Sequence, residues 1–138
     1  MSTSGYSGTP LAKKLGIKEG FSIQVFNPPK PYRTFFEDLP KDIDVHKDAS
    51  ANIPMDFIHI FVAHPEELES LFSLAKHNLK KDGMLWISWP KKTSQIVTTL
   101  DKFAIMNYGQ KKGLVDIKVA AIDADWSGHK FVYRVKDR

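Results

Sequence analysis

The run Met84-Leu85-Trp86-Ile87-Ser88-Trp89, entered through Asp82-Gly83 and left through Pro90-Lys91-Lys92, constrains the fold more than any other part of the chain. It is apolar on both faces, the pattern of a central strand covered by helices rather than an edge strand facing water. The sequence therefore predicts an α/β sheet with a lysine pair where this strand ends. Open α/β sheets bind their ligands at that carboxyl edge.

The neighbouring segments keep to the same plan. Asp56 to Ala63 places Ile58, Ile60 and Val62 on one face and Phe57, His59 and Phe61 on the other, which predicts a second central strand. Pro65 opens a helix with Glu66 and Glu67 in its first turn and an apolar stripe of Leu68, Leu71, Phe72, Ala75 and Leu79; Lys80-Lys81 close it before Gly83. Upstream, Thr9 as N-cap and Pro10 at the first helical position start a short helix that Gly16 ends. Strand one follows over Phe21 to Phe26, and Asn27-Pro28-Pro29-Lys30-Pro31 stops it, because prolines lack a backbone donor and hold an extended path. Tyr32 to Leu39 is read as a helix burying Phe35, Phe36 and Leu39, followed by a short strand at Ile43 to Val45 and a polar loop. Beyond Lys92, a linker leads to a helix from Thr98 to Lys111, ended by Gly113. Leu114 to Asp123 and Lys130 to Val135 are the last strands, an antiparallel pair turning at Trp126-Ser127-Gly128. Strands alternating with helices exclude an all-β sandwich and an all-α bundle, and right-handed crossovers give a three-layer α/β sandwich, mostly parallel, with a C-terminal antiparallel hairpin.

Composition sets the outer limits. A length of 138 residues suits one domain, taken as residues 9–138 behind a mobile tail over 1–8. No apolar run reaches membrane length, and the amino terminus lacks the segments of a signal peptide. Zero cysteines exclude disulfides, a thiolate nucleophile and cysteine-ligated metals, and suit a reducing cytoplasm. The net charge of +4 comes from 20 basic against 16 acidic residues, and Lys80-Lys81 and Lys111-Lys112 are read as solvated helix ends. Charge alone would suggest a weak nucleic-acid binder, but the basic residues are not gathered on one face, which weighs against nucleic acid.

Leu15-Gly16-Ile17-Lys18-Glu19-Gly20 before strand one, Asp56-Phe57-Ile58-His59-Ile60-Phe61, and Leu79-Lys80-Lys81-Asp82-Gly83-Met84-Leu85, with the closing hairpin, resemble a reduced Rossmann-like S-adenosylmethionine-dependent methyltransferase across most of residues 11–138. Trp89-Pro90-Lys91-Lys92, Gly113-Leu114-Val115-Asp116-Ile117-Lys118-Val119 and Trp126-Ser127-Gly128 with Phe131-Val132-Tyr133-Arg134 resemble, more closely, a family of short bacterial proteins without an assigned activity. The methyltransferase resemblance implies a glycine-rich loop after strand one and an acidic residue ending strand two to hold ribose hydroxyls. The first is replaced by Asn27-Pro28-Pro29-Lys30, whose prolines would fill the space beside a cofactor and withdraw amide donors; for the second, Asp44 and Asp48 are the candidates. Asn27-Pro28-Pro29 is also similar to the Asn-Pro-Pro-aromatic motif of amino-methylating enzymes, but Tyr32 is displaced and the motif follows the wrong strand, so a rigid strand exit is the simpler reading.

The candidate ligand site is the carboxyl edge. Lys91 and Lys92 offer two ammonium groups to a phosphate or carboxylate, His64 and Asn27 end parallel strands along the same edge, and Lys30 follows Asn27. Trp86 and Trp89, three apart, take opposite faces; Trp89 is placed at the pocket mouth, and Trp126 either shapes the hairpin or walls the same cleft. His59, mid-strand among aromatics, is read as a buried, hydrogen-bonded imidazole. The five histidines lack metal-ligand spacing, and no Gly-x-Ser-x-Gly elbow or phosphate loop is present. The sequence thus favours a non-catalytic domain without a cofactor, binding a small anionic ligand or a protein partner through Asn27, Lys30, His64, Trp89, Lys91, Lys92 and Trp126, with a homo-oligomer left open. The alternative is an S-adenosylmethionine-dependent methyltransferase with an atypical cofactor loop.

Overall fold

The computed structural model describes residues 9–138; the tail expected over 1–8 lies outside them. In chain order the elements are α1 (Leu11–Leu15), β1 (Ser22–Phe26), a 3-10 turn (Tyr32–Phe35), β2 (Asp44–His46), β3 (Met55–Phe61), α2 (Pro65–Asn78), β4 (Leu79–Pro90), α3 (Lys102–Lys111), β5 (Leu114–Ala121) and β6 (Trp126–Tyr133). The strands form one sheet in the order β2-β1-β3-β4-β6-β5. The first four are parallel, and β6 runs antiparallel to both β4 and β5. This is the mostly parallel α/β sandwich, with its antiparallel C-terminal pair, that the apolar strands predict.

Each face of the sheet carries its own core. On one side Phe26, Ile58, Ile60, Leu85, Ile87 and Trp89 pack beneath Leu68, Phe72 and Ala75 of α2 and Ile105 of α3. On the other, Ile23, Val25, Phe57, Phe61 and Trp86 pack beneath α1 and the aromatic 3-10 turn. The two tryptophans of β4 therefore take opposite faces, as their spacing requires. Trp86 is fully buried, and its indole N–H donates to the Leu15 carbonyl at 2.9 Å, fastening the end of α1 to the sheet. A completely buried indole without such a partner would lose about 1–3 kcal/mol, so α1 is placed by this bond as much as by its apolar contacts.

Four local expectations are corrected. Tyr32 to Leu39 forms a single 3-10 turn, with Phe36 already extended. Tyr32, Phe35 and Phe36 dock on one another and on Phe61, which one tight turn achieves without a longer helix. Helix α2 stops at Asn78 because Leu79 is already paired with Met55, so Lys80-Lys81 lie in β4 and do not close a helix. Lys80 Nζ instead sits 2.9 Å from Asp56 Oδ1, and Lys81 Nζ lies 4.3 Å from the Tyr133 ring centre. Trp126-Ser127-Gly128 belongs to β6; the turn precedes it, with Asp123 Oδ1 accepting from the amides of Asp125 and Trp126 at 2.9 Å. Helix α3 begins at Lys102, capped by the Asp101 carboxylate on the Ala104 amide at 2.8 Å, because Thr98 is engaged elsewhere.

Candidate functional site

The chain leaves β1 for β2 on one side and returns as β3 on the other. That reversal puts the switch point of the sheet at the carboxyl ends of β1 and β3, the place where ligands of doubly wound sheets bind. Asn27 stands at the exit of β1 with φ of 56°, in the left-handed region that asparagine enters more readily than most side chains. The sharp turn, for which the sequence offers no glycine, is thus made by asparagine. Pro28, Pro29 and Pro31 carry no N–H, which leaves Asn27 and Lys30 as the amide donors of this stretch.

Asp48 lies just past the carboxyl end of β2, the strand beside β1. Its Oδ1 accepts from Ser50 N at 2.9 Å and Ser50 Oγ at 2.7 Å, and these bonds hold the carboxyl below its ordinary range. Asp44, the other acidic candidate, begins β2 and so belongs to the opposite edge. The loop carrying Asp48 is tied down from below: the buried Gln24 amide donates to the carbonyls of Asp48 and Ala51 at 3.2 and 3.3 Å. Asn78 Nδ2 in turn reaches Gln24 Oε1 at 3.0 Å and the Ala51 carbonyl at 2.8 Å.

Along the same edge, His64 is exposed at the start of α2, where the Glu67 carboxylate accepts from the amides of Ala63 and His64 at 2.8 and 3.1 Å. Lys30 is exposed, its Nζ 4.5 Å from the Phe35 ring centre. At the end of β4 a cavity of about 340 Å³ is lined by Trp89, Lys91, Lys92, Leu100, Lys102 and Phe103, among others. Trp126 is buried on the opposite face, edge-on to Phe61 at 5.3 Å between ring centres, and is not among the lining residues. The structure therefore gathers Trp89, Lys91 and Lys92 at one cavity and strings Asn27, Lys30 and His64 along the edges of the two neighbouring strands. Sequence reasoning did not find Lys102 and Phe103, because it started α3 four residues early and so hid their place at the helix start.

Two further buried polar groupings lie inside the sheet among the described residues. His59 joins Tyr32 and Ser88, each 2.7 Å away, and is the buried, hydrogen-bonded imidazole expected of it. His129 stacks on Phe131 with ring centres 4.8 Å apart, and its Nε2 lies 3.4 Å from Asp116 Oδ2. Burial lowers the His129 pKa, and the carboxylate opposes that shift.

No family model matches the chain, and no curated protein matches it in sequence. Solved structures do match in fold. A SAM-dependent methyltransferase from Aquifex aeolicus superposes with a TM-score of 0.63 at 15% identity, covering 88% of this chain and 86% of that one. The DhpI-SAM-HEP complex gives 0.60 at 7% identity, with 88% and 83% covered. Magnesium protoporphyrin IX methyltransferase from Synechocystis PCC 6803, with bound SAH, gives 0.56 at 8% identity, with 90% and 78% covered. The fold is Rossmann-like and methyltransferase-like. The expectation of a non-catalytic domain without a cofactor is corrected by these neighbours: they are SAM-dependent methyltransferases, and several are complexes with SAM or SAH. One part of its physical basis also falls, since Asn27 supplies the left-handed turn that the missing glycine was needed for, while the prolines still leave only two amide donors there.

Proposed function

We propose that the chain is an S-adenosylmethionine-dependent methyltransferase whose cofactor occupies the switch point at the carboxyl ends of β1 and β3. The observation that carries this reading is the pairing of a left-handed Asn27 at the exit of β1 with an ionised Asp48 just past the neighbouring β2. Asp48 would hold the ribose hydroxyls: Oδ1 is occupied by Ser50, while Oδ2 has no partner among the described residues. Asn27 would turn the chain away from the adenosine, and Lys30 and His64 line the approach. The bound cofactor supplies a methyl group on a sulfonium centre; the protein binds it, orients it and presents an acceptor. The resemblance of the Trp89-Pro90-Lys91-Lys92 and Trp126-Ser127-Gly128 elements to short bacterial proteins supports placing the chain in a bacterial branch of this fold, and the lack of cysteine suits a reducing cytoplasm. No helix among the described residues is long and apolar enough to cross a membrane.

Calorimetric titration with S-adenosylmethionine and S-adenosylhomocysteine tests the reading. Both should bind, and Asp48→Ala should weaken them by about tenfold or more, the usual effect of losing hydrogen bonds to a charged group. No heat at millimolar ligand, or equal affinity in the variant, overturns the assignment.

A further inference from the structure

We infer that the cavity at the end of β4 is the acceptor pocket of this methyltransferase, and that it takes a small molecule with an apolar body and an anionic group. The inference rests on the cofactor reading above for the word acceptor, but not for the pocket's chemistry. At about 340 Å³ the cavity falls within the usual range for small-molecule sites, about 300–1,000 Å³. Its floor is apolar: Trp89 is 6% exposed and Leu100 is buried, while Phe103 stands at the rim, 60% exposed on the first turn of α3. A phenylalanine left that open has most of its ring available to something that enters.

The lining charge has one sign in excess. Lys91, Lys92 and Lys102 contribute three ammonium groups, against one carboxylate, Asp101, which is engaged with the Ala104 amide. Neither Lys92 nor Lys102 has an acidic partner among the described residues, although Lys102 Nζ lies 5.2 Å from the Phe103 ring centre. An anion entering with an apolar body therefore meets flexible cations at the rim and tryptophan beneath, and desolvating the body strengthens the ionic contact.

Position makes this an acceptor pocket and not a remote one. The segment from Lys91 to Asp101 runs from the cavity to the exit of β3, where Thr98 Oγ–H donates to the Ala63 carbonyl at 2.6 Å. Ala63 adjoins His64 at the end of β3, and β3 and β4 are paired parallel neighbours, so a molecule in the cavity would lie on the same edge of the sheet as the proposed cofactor, one strand away.

The probes are naphthalene-2-sulfonate and the neutral naphthalene-2-methanol, of similar shape. They are titrated by calorimetry, with NMR shift mapping of the Trp89 indole, against the parent and the Lys92→Ala/Lys102→Ala variant. Both lysines are exposed, so the variant keeps its fold. The parent should prefer the sulfonate by about tenfold or more, with shifts at Trp89, and the variant should lose that preference, as expected when charge-assisted contacts are removed. Equal binding of the two probes by the parent, an unchanged preference in the variant, or no shift at Trp89 overturns the pocket. S-adenosylhomocysteine affinity, measured on the same variant, should match the parent's. Sulfonate preference without any S-adenosylhomocysteine binding keeps the anion pocket and removes its acceptor role.

Discussion

His59 Nε2 lies 2.7 Å from Ser88 Oγ between the two central strands, and Nδ1 of the same ring lies 2.7 Å from the Tyr32 hydroxyl. Complete burial holds the imidazole neutral, with its pKa lowered to about 3. A neutral ring has one N–H and one lone pair, so one hydroxyl donates to it and the other accepts. This bond chain locks the turn after β1 onto β3 and β4, directly beneath the ligand edge.

Stability should therefore respond to acid through His59. Its folded pKa is depressed below the ordinary 6.5, so its contribution is fully present above about pH 6.5 and is lost as pH falls towards 3, with a slope approaching 1.4 kcal/mol per pH unit. Guanidinium unfolding at a series of pH values, run in parallel on His59→Gln, checks this. The variant should lose most of the slope between pH 6 and 4.5, while identical slopes would rule out the assignment.

Gly109 on α3 faces the Phe131 ring so closely that an added Cβ would stand 2.6–2.7 Å from three ring carbons. Gly109→Ala should cost about 1–3 kcal/mol in chemical denaturation despite the better helix propensity of alanine, because overpacking outweighs propensity here. A stabilised variant would show that the helix can shift away from the sheet.

The left-handed residue at the exit of β1 gives a paired test. Asn27→Gly should be near neutral in unfolding free energy, whereas Asn27→Ala should lose about 1–2 kcal/mol, since alanine has neither the local hydrogen bonding of asparagine nor the freedom of glycine at positive φ. Equal losses in the two would mean that the asparagine side chain, not the backbone, is what matters.

Thr98→Val removes the hydroxyl that ties the β4–α3 segment to Ala63. Amide exchange of residues 91–100 should quicken, by the amount that corresponds to losing about 1 kcal/mol of local hydrogen bonding, while the strands stay protected. Unchanged exchange would show that the segment is held by its backbone alone.

The parallel sheet was legible because Met84–Trp89 and Phe57–Val62 are apolar on both faces, a pattern that leaves little else for them to be. The edge lysines followed from the same strands. What could not be read was the φ of Asn27, because an asparagine before two prolines looks like a mere stop until its left-handed turn is seen. Tyr32, Phe35 and Phe36 suit a helix and a single aromatic turn equally well, and the docking of Tyr32 on His59 and of Tyr32 and Phe35 on Phe61 is a long-range arrangement that the local pattern does not show. Lys80-Lys81 resembled a helix end because the pairing of Leu79 with Met55 is a long-range contact that no local signal announces. Lys102 and Phe103 escaped for a similar reason: the side chain of Thr98 is spent on Ala63, so Asp101 becomes the cap.

The amides of Gln24 and Asn78, clamped beneath residues 48–51, carry a last consequence. They tie residues 48–51 to β1 and α2, so on the proposed function this loop would need little further ordering when a cofactor docks. The segment from Lys92 to Val97 is largely exposed, and its own ties are short-range, Ser94 to the Lys91 carbonyl and the Ile96 amide to Ser94, with Thr98 just beyond holding the Ala63 carbonyl. On the proposed function, a loop tied to the sheet on one side and a chiefly surface segment on the other would let the cofactor stay fixed while the acceptor changes in size.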